Sequence, residues 1–184
     1  MLFVYSTLFF WVVMILYWII TAGINSQTSL KSELIPLFKL VASALITYLP
    51  LIIGGWFSVR FYRNNPLSNI IGVLLCVFGV SVAIWARHTL GKNWSGRIMI
   101  QEEHHLTEEG PYRLIRHPIY SGVLLAMMGS SLVLGYIFSF IYLAFSVFGL
   151  VRKSKQEEDL LSSQFPIQYA QYRKRTKMLI PYVL

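Results

Sequence analysis

The feature that most constrains this chain is a series of long stretches without a charged residue. Leu2–Gly23, Leu40–Val59 and Leu67–Ala86 are each long enough to cross a bilayer core, which needs about 20 apolar residues. Pro118–Val151 runs for 34 residues without a charge. As one helix it would be roughly 50 Å long, too long for one crossing. Two glycines near its middle, one of them Gly135, therefore predict a tight hairpin of two short spans, about 17 residues each.

These stretches predict an all-α fold: a polytopic membrane helical bundle of five transmembrane helices, with a tight hairpin of helices 4 and 5. No lysine or arginine precedes the first stretch, so we expect a retained helix rather than a cleaved signal peptide. Asn25–Pro36 is interpreted as a polar connection and Arg152–Leu184 as an amphipathic tail that Pro166 divides into two helical pieces. Charged residues make up only 13% of the chain, which argues against a soluble globule.

Basic residues predict the orientation. The 87–117 segment and the tail carry 12 of the 16 lysines and arginines, and lysine and arginine concentrate in cytoplasmic loops. We therefore expect the N-terminus outside and the tail in the cytoplasm. The net charge of +8 is interpreted as basic loops near anionic lipid, and we expect no nucleic acid partner.

Two polar sets are predicted to meet on one membrane face. Gln101–Tyr120 reads QEEHHLTEEGPYRLIRHPIY and leads into the fourth span, where Pro118 suits the first helical turn. The other set, Lys153, Glu157 and Glu158, follows the fifth span. Because a hairpin returns the chain to the side it left, the two sets could close on one ligand.

Other interpretations of single residues stay open. His104 and His105 beside two glutamates could bind a metal, but membrane metal oxidases need many more histidines than the 4 here, and we expect no metal. Arg116 could be an interfacial anchor, and the acidic 157–159 run a solvated helix face. Cys76 is predicted to be a packing residue. The chain has no P-loop, no G-x-G-x-x-G and no G-x-S-x-G motif.

Five short segments follow one another along the second half of the chain: LGKNWS at 90–95, HHLT at 104–107, GPYR at 110–113, RHPIYSG at 116–122 and EEDLL at 157–161, followed by Phe165, Tyr169, Tyr172 and Pro181. In this order and spacing they resemble the isoprenylcysteine carboxyl methyltransferase family in its short prokaryotic form, over roughly Leu90–Pro181. The RHPIYSG element is moderately specific alone.

The resemblance implies S-adenosylmethionine as methyl donor, with residues 1–86 forming three spans and residues 87–184 the catalytic and cofactor-binding half of a single domain. The cofactor positions that it implies are His104, Leu106, Thr107, Tyr112, His117, Pro118, Ile119, Tyr120 and Glu157. Cations that position the acceptor are expected among Arg116, Arg152 and Lys153, the last standing where relatives more often have arginine. For a neutral acceptor, His117 or Glu158 could remove a proton.

We therefore predict an S-adenosylmethionine-dependent methyltransferase that acts on a lipophilic small-molecule or lipidated acceptor in contact with membrane lipid. A prokaryotic inner membrane is the expected location. O-methylation of a carboxylate or phenolic hydroxyl is the first interpretation. Phospholipid or amine N-methylation, an NADPH-dependent sterol-type reductase and a non-catalytic membrane scaffold are the alternatives.

Overall fold

A computed structural model describes residues 1–22, 30–63, 65–91 and 106–181, and their regular structure is helical. The helices are α1 (Leu2–Ala22), α2 (Leu30–Ile53), α3 (Pro66–Leu90), α4 (Pro118–Leu134), α5 (Ile137–Gln164) and α6 (Pro166–Arg175). Four of them, α1, α2, α3 and α5, are long and apolar enough to cross a membrane, and α4 is a shorter apolar helix of 17 residues. The predicted all-α membrane bundle is confirmed.

The second span differs from its predicted bounds. Helix α2 begins at Leu30 instead of Leu40, so the end of the predicted polar connection is helical and Pro36 lies inside the helix. It ends at Ile53 instead of Val59. Gly54 and Gly55 both have positive φ, 66° and 57°, a conformation that glycine adopts without steric cost and that stops the α-helix there.

The hairpin of α4 and α5 is confirmed, but its second arm is longer than predicted. Gly135 ends α4 in the left-handed conformation (φ 69°), and α5 begins two residues later. Helix α5 then continues for 28 residues to Gln164, so the predicted start of a separate tail at Arg152 is wrong. No glycine or proline interrupts 152–164, and its lysines and glutamates favour helix. The predicted division at Pro166 is confirmed, since this residue begins α6.

The short hairpin is completed by the segment that precedes α3. The Phe61 amide donates to the Gly135 carbonyl at 2.8 Å, and the Ile137 amide donates to the Val59 carbonyl at 3.0 Å. The Arg60 guanidinium lies 5.2 Å from the centre of the Tyr136 ring. The two hydrogen bonds satisfy backbone polar groups at the hairpin tip, and lipid hydrocarbon offers such groups no hydrogen-bond partner.

Glycines bring α3 and α4 into backbone contact. A Cβ atom added to Gly122 would lie 2.5 Å from the Gly79 carbonyl oxygen, and Gly72 and Gly129 face each other in the same way. The face of α4 that carries Gly122 and Gly129 is therefore the face that packs on α3. Such close approach favours helix association in lipid, where the hydrophobic effect does not hold helices together.

A buried hydrogen-bond network joins the first four helices away from the polar segments. The Tyr48 hydroxyl donates to Thr7 Oγ1 at 2.8 Å and contacts Ser130 Oγ at 3.1 Å, while Trp11 Nε1 donates to the same Ser130 oxygen at 3.0 Å. Cys76 is fully buried beside Ser130, in agreement with the predicted packing role.

Candidate active site

A cavity of about 940 Å³ opens at the end of the bundle where α4 begins. Helices α2, α4 and α5 and the 3₁₀ turn at Gly110–Arg113 contribute its walls. One part of the wall is polar and consists of Tyr112, Arg116, His117, Tyr120, Lys153 and Glu157. Another part is apolar and includes Phe38, Leu40, Val123, Met127, Tyr142 and Leu150. A ligand with both a polar and a lipid-like part fits such a cavity.

Glu157 is the centre of the polar wall. Its Oε1 accepts a hydrogen bond from the Tyr120 hydroxyl at 2.6 Å and lies 3.5 Å from Lys153 Nζ, one helical turn earlier. Its Oε2 lies 3.3 Å from His117 Nδ1. The His117 and Tyr120 rings stack with an interplanar angle of 4° and centroids 5.6 Å apart. The start of α4 and the last third of α5 therefore meet through this carboxylate.

Glu158 forms a second cluster behind the first. Arg116 Nε donates to Glu158 Oε1 at 2.7 Å, and Arg116 Nη1 donates to the Thr176 carbonyl at 2.6 Å. His117 Nε2 lies 3.3 Å from the same Glu158 oxygen, so His117 bridges both glutamates. The Arg116 and Glu158 side chains are only 7% and 5% exposed. Arg116 thus ties three segments together.

The residues after α6 hold the segment before α4 in place. The Arg116 amide donates to the Lys177 carbonyl at 2.8 Å, and the His117 amide donates to the Met178 carbonyl at 3.1 Å. The Tyr172 hydroxyl donates to the Tyr112 carbonyl at 2.7 Å. As predicted from the hairpin, the described part of the first polar set, residues 106–120, lies on the same side of the bundle as the second set, and residues 172–178 connect to it through these hydrogen bonds.

Burial and charge set the protonation of this site. Burial by itself lowers the pKa of His117, but the hydrogen bonds and negative charges of Glu157 and Glu158 outweigh it and raise that pKa above its ordinary value. Burial raises the pKa of Tyr112 well above the usual range of a phenol. The two carboxylates therefore favour protonation of His117, and burial favours the neutral hydroxyl of Tyr112.

The structure brings most of the predicted site residues to the cavity, although not all of them. Arg116 reaches the wall but is already paired with Glu158. Arg152 is exposed and lies off the wall. His104 lies outside the described residues. The other predicted residues on the wall are Tyr112, His117, Ile119, Tyr120, Lys153 and Glu157, and those off it are Leu106, Thr107 and the fully buried Pro118.

Sequence reasoning missed the contribution of the first half of the chain. Trp18 of α1 and a row of α2 residues that includes Lys39 and Ser43 line the cavity. The available signal was Lys39, a charged residue close to the start of an apolar helix, because such charges mark functional positions in membrane segments. In the part of the chain that the structure describes, no group of three or more potential metal ligands comes together.

These features define the class: an integral-membrane helical bundle with an ion-paired, amphipathic cavity at one end. The sequence profile of the isoprenylcysteine carboxyl methyltransferase family matches residues 71–163. The chain is 33% identical over 161 residues to protein-S-isoprenylcysteine O-methyltransferase B of Arabidopsis thaliana, which covers 86% of this chain and 81% of the relative. The chain belongs to the isoprenylcysteine carboxyl methyltransferase family, whose members are membrane methyltransferases.

More distant relatives agree with this assignment. The human protein-S-isoprenylcysteine O-methyltransferase is 26% identical over 170 residues, which cover 89% of this chain and 60% of the human protein. A solved structure of a eukaryotic intramembrane Ras methyltransferase has the same fold, with a TM-score of 0.64 and 21% identity over 89% of this chain and 60% of that one. A bacterial relative, the uncharacterized protein YpbQ of Bacillus subtilis, is 28% identical over 72 residues.

Proposed function

We propose that this chain transfers a methyl group from S-adenosylmethionine to the carboxylate of a lipid-linked acceptor, with an isoprenylated cysteine as the acceptor that its relatives' names indicate. One observation carries the proposal: a single cavity joins the polar wall around Glu157 to an apolar wall on α2 and α5. A water-soluble donor and a lipid-borne acceptor can therefore meet in one chamber at the membrane boundary.

The residues of the polar wall fit the proposed donor. S-adenosylmethionine supplies an activated methyl group on a positively charged sulfur and also carries an aromatic base and polar groups. The Glu157 carboxylate provides negative charge, and the stacked His117 and Tyr120 rings provide flat surfaces next to it. We assign Tyr112, His117, Ile119, Tyr120 and Glu157 to donor binding.

The other predicted donor-binding residues contribute indirectly, by positioning residues of the wall. Pro118 is fully buried as the first residue of α4, where its ring fixes the turn that presents His117 and Tyr120. Leu106 and Thr107 are described but lie off the cavity wall, in the segment that leads to Tyr112. Their proposed contribution is to the position of that segment.

A carboxylate acceptor is already a nucleophile, so the protein has to orient it and exclude water rather than remove a proton. The apolar wall excludes water, and Lys153 places a cation on the wall beside Glu157. Alignment of two reactants in this way lowers a barrier by up to about 7–11 kcal/mol. Arg116 supports the site by fixing Glu158, and Arg152 is exposed and lies off the wall.

We further propose a prokaryotic plasma membrane, with the N-terminus outside and the cavity on the cytoplasmic side. The exposed cations of α6, Arg173, Lys174 and Arg175, lie at the cavity end of the bundle, whereas Arg60 lies beside the hairpin tip at the other end and Arg63 follows it three residues later in the chain. This distribution follows the positive-inside rule. Alkaline phosphatase and fluorescent-protein fusions to each terminus test the orientation.

The function is tested with purified protein in detergent, tritiated S-adenosylmethionine and N-acetyl-S-farnesyl-cysteine. We expect radioactivity that alkali releases as methanol, because a methyl ester is base-labile. Phosphatidylethanolamine serves as the comparison acceptor, since an N-methyl product would survive alkali. Glu157→Ala should weaken donor binding at least tenfold while the protein still folds. Base-stable product, or no product with either acceptor, would overturn the proposed reaction.

A further inference from the structure

The cationic side chains on the cavity wall differ in whether a carboxylate of the described residues lies within ion-pair distance. Arg116 is paired with Glu158, Lys153 with Glu157, and His117 with both carboxylates. Lys39 of α2 also lies on the wall, and the described residues offer it no carboxylate within 4.0 Å.

Lys39 therefore adds a positive charge to the cavity that no carboxylate of the described residues pairs with. Arg116 and Lys153, in contrast, already have carboxylate partners in Glu158 and Glu157. Lys39 is exposed and stands in an otherwise apolar span of α2, where a charged side chain in contact with hydrocarbon is unfavourable. A bound anion would offset part of that cost at this position.

The position of Lys39 fits the polar end of a lipid-like ligand. The membrane-spanning part of α2 begins at Leu34, so Lys39 lies about 7.5 Å along the helix from that point. Its neighbour Ser43 donates its hydroxyl hydrogen to the Lys39 carbonyl at 2.8 Å. Lys39 is thus the charged residue that the described part of α2 adds to the wall. Along the α5 side, Ser146, Gly149 and Leu150 form a narrow, largely apolar strip.

We propose that Lys39 binds the carboxylate of the lipid-like acceptor and so selects acidic acceptors over neutral ones. The methyl-transfer step described next rests on the proposed function, whereas the role of Lys39 in binding the carboxylate does not. In the transfer, a carboxylate oxygen forms a bond to the methyl carbon as the bond from that carbon to sulfur breaks. The carboxylate becomes a neutral ester and the sulfonium becomes a neutral thioether. The product then lacks the charge that Lys39 binds, and this favours its release.

The test measures binding in the absence of methyl donor. The probes are N-acetyl-S-farnesyl-cysteine and its primary amide, which has the same shape without the charge. Wild-type protein should bind the acid at least tenfold more tightly than the amide. Lys39→Gln should remove this preference, and Lys39→Arg should retain most of it. Lys155→Gln is the matched control, since Lys155 is exposed on α5 and lies off the wall.

The affinity for S-adenosylmethionine, measured by isothermal titration, should be the same in wild type and Lys39→Gln. An unchanged acid preference in Lys39→Gln, or no preference in wild type, would overturn the role of Lys39. A loss of donor affinity with unchanged acid binding would also overturn it, because Lys39 would then serve the carboxylate of the donor. If wild type binds the acid selectively but forms no ester, the proposed function fails while the binding role stands.

Discussion

Arg116 is a residue for which a structural role and a substrate-binding role predict clearly different results of substitution. The sequence suggests that this arginine positions an acceptor, but in the structure it is paired with Glu158 and the Thr176 carbonyl. We predict that Arg116→Ala mainly destabilises the protein, because it leaves the Glu158 carboxylate, with a side chain only 5% exposed, without its principal partner.

The magnitude follows from the contacts that remain. Removal of one member of a buried ion pair costs about 3–5 kcal/mol. His117 Nε2 still lies 3.3 Å from Glu158 Oε1, so we expect the lower limit, about 3 kcal/mol. For a chain of this length that loss lowers the unfolding midpoint by roughly 6–12 °C. The double variant Arg116→Met, Glu158→Met should recover most of the loss, since an apolar pair requires no partner.

The chain contains its own reporter for this measurement. Cys76 is the only cysteine and is fully buried, so a thiol-reactive fluorogenic maleimide reacts as the bundle unfolds. Arg113→Ala is the control, because Arg113 is exposed and precedes the same helix. The structural reasoning would be refuted by an Arg116→Ala variant that melts like wild type and yet has a strongly raised KM for the acceptor.

Three more outcomes are expected. Gly149→Leu should lower kcat/KM for the acceptor at least tenfold at an unchanged melting midpoint, since Gly149 lines the cavity and a Cβ there meets nothing within 4 Å; unchanged kinetics would contradict this. Gly79→Leu, in contrast, should destabilise the fold by more than about 1–3 kcal/mol, because its Cβ would lie 2.5 Å from the Gly122 carbonyl; normal thermal unfolding would contradict the α3–α4 contact. The raised folded-state pKa of His117 stabilises the protein fully below about pH 6.5 and progressively less as the pH rises through that pKa. The difference in unfolding midpoint between wild type and His117→Asn, followed by circular dichroism, should therefore shrink toward alkaline pH, and a constant difference would argue against a bridging imidazolium.

Much of the fold could be predicted because charge-free length is a direct physical requirement of membrane helices. The ends of helices were harder to predict. Lys31, Glu33 and Pro36 gave the start of α2 the composition of a loop, although a helix can continue beyond the hydrocarbon without penalty. The charges from Arg152 onward had the same effect on α5, where water and helix-forming side chains allow the helix to extend.

The candidate site was predictable where its residues are close in sequence. Tyr112, His117 and Tyr120 all lie in the segment Gln101–Tyr120, and short spacing keeps them near one another. Lys153 precedes Glu157 by one helical turn, so these two side chains are neighbours on the helix surface. Arg152 differs from Lys153 by one position, and this rotates it about 100° around the helix, off the wall. The part played by α2 depends on tertiary packing that no local spacing reveals.

The unbroken course of α5 has a consequence for how this chain can vary. One rigid rod carries both Gly149 on the apolar strip and Glu157 on the polar wall. An extra residue inserted between them would turn everything downstream by about 100° and advance it by about 1.5 Å, so the carboxylate would swing out of the chamber. A substitution on α5 changes one side chain, whereas an insertion or deletion between these two residues would move every wall residue that follows it, so we expect the length of this segment to vary less than its sequence.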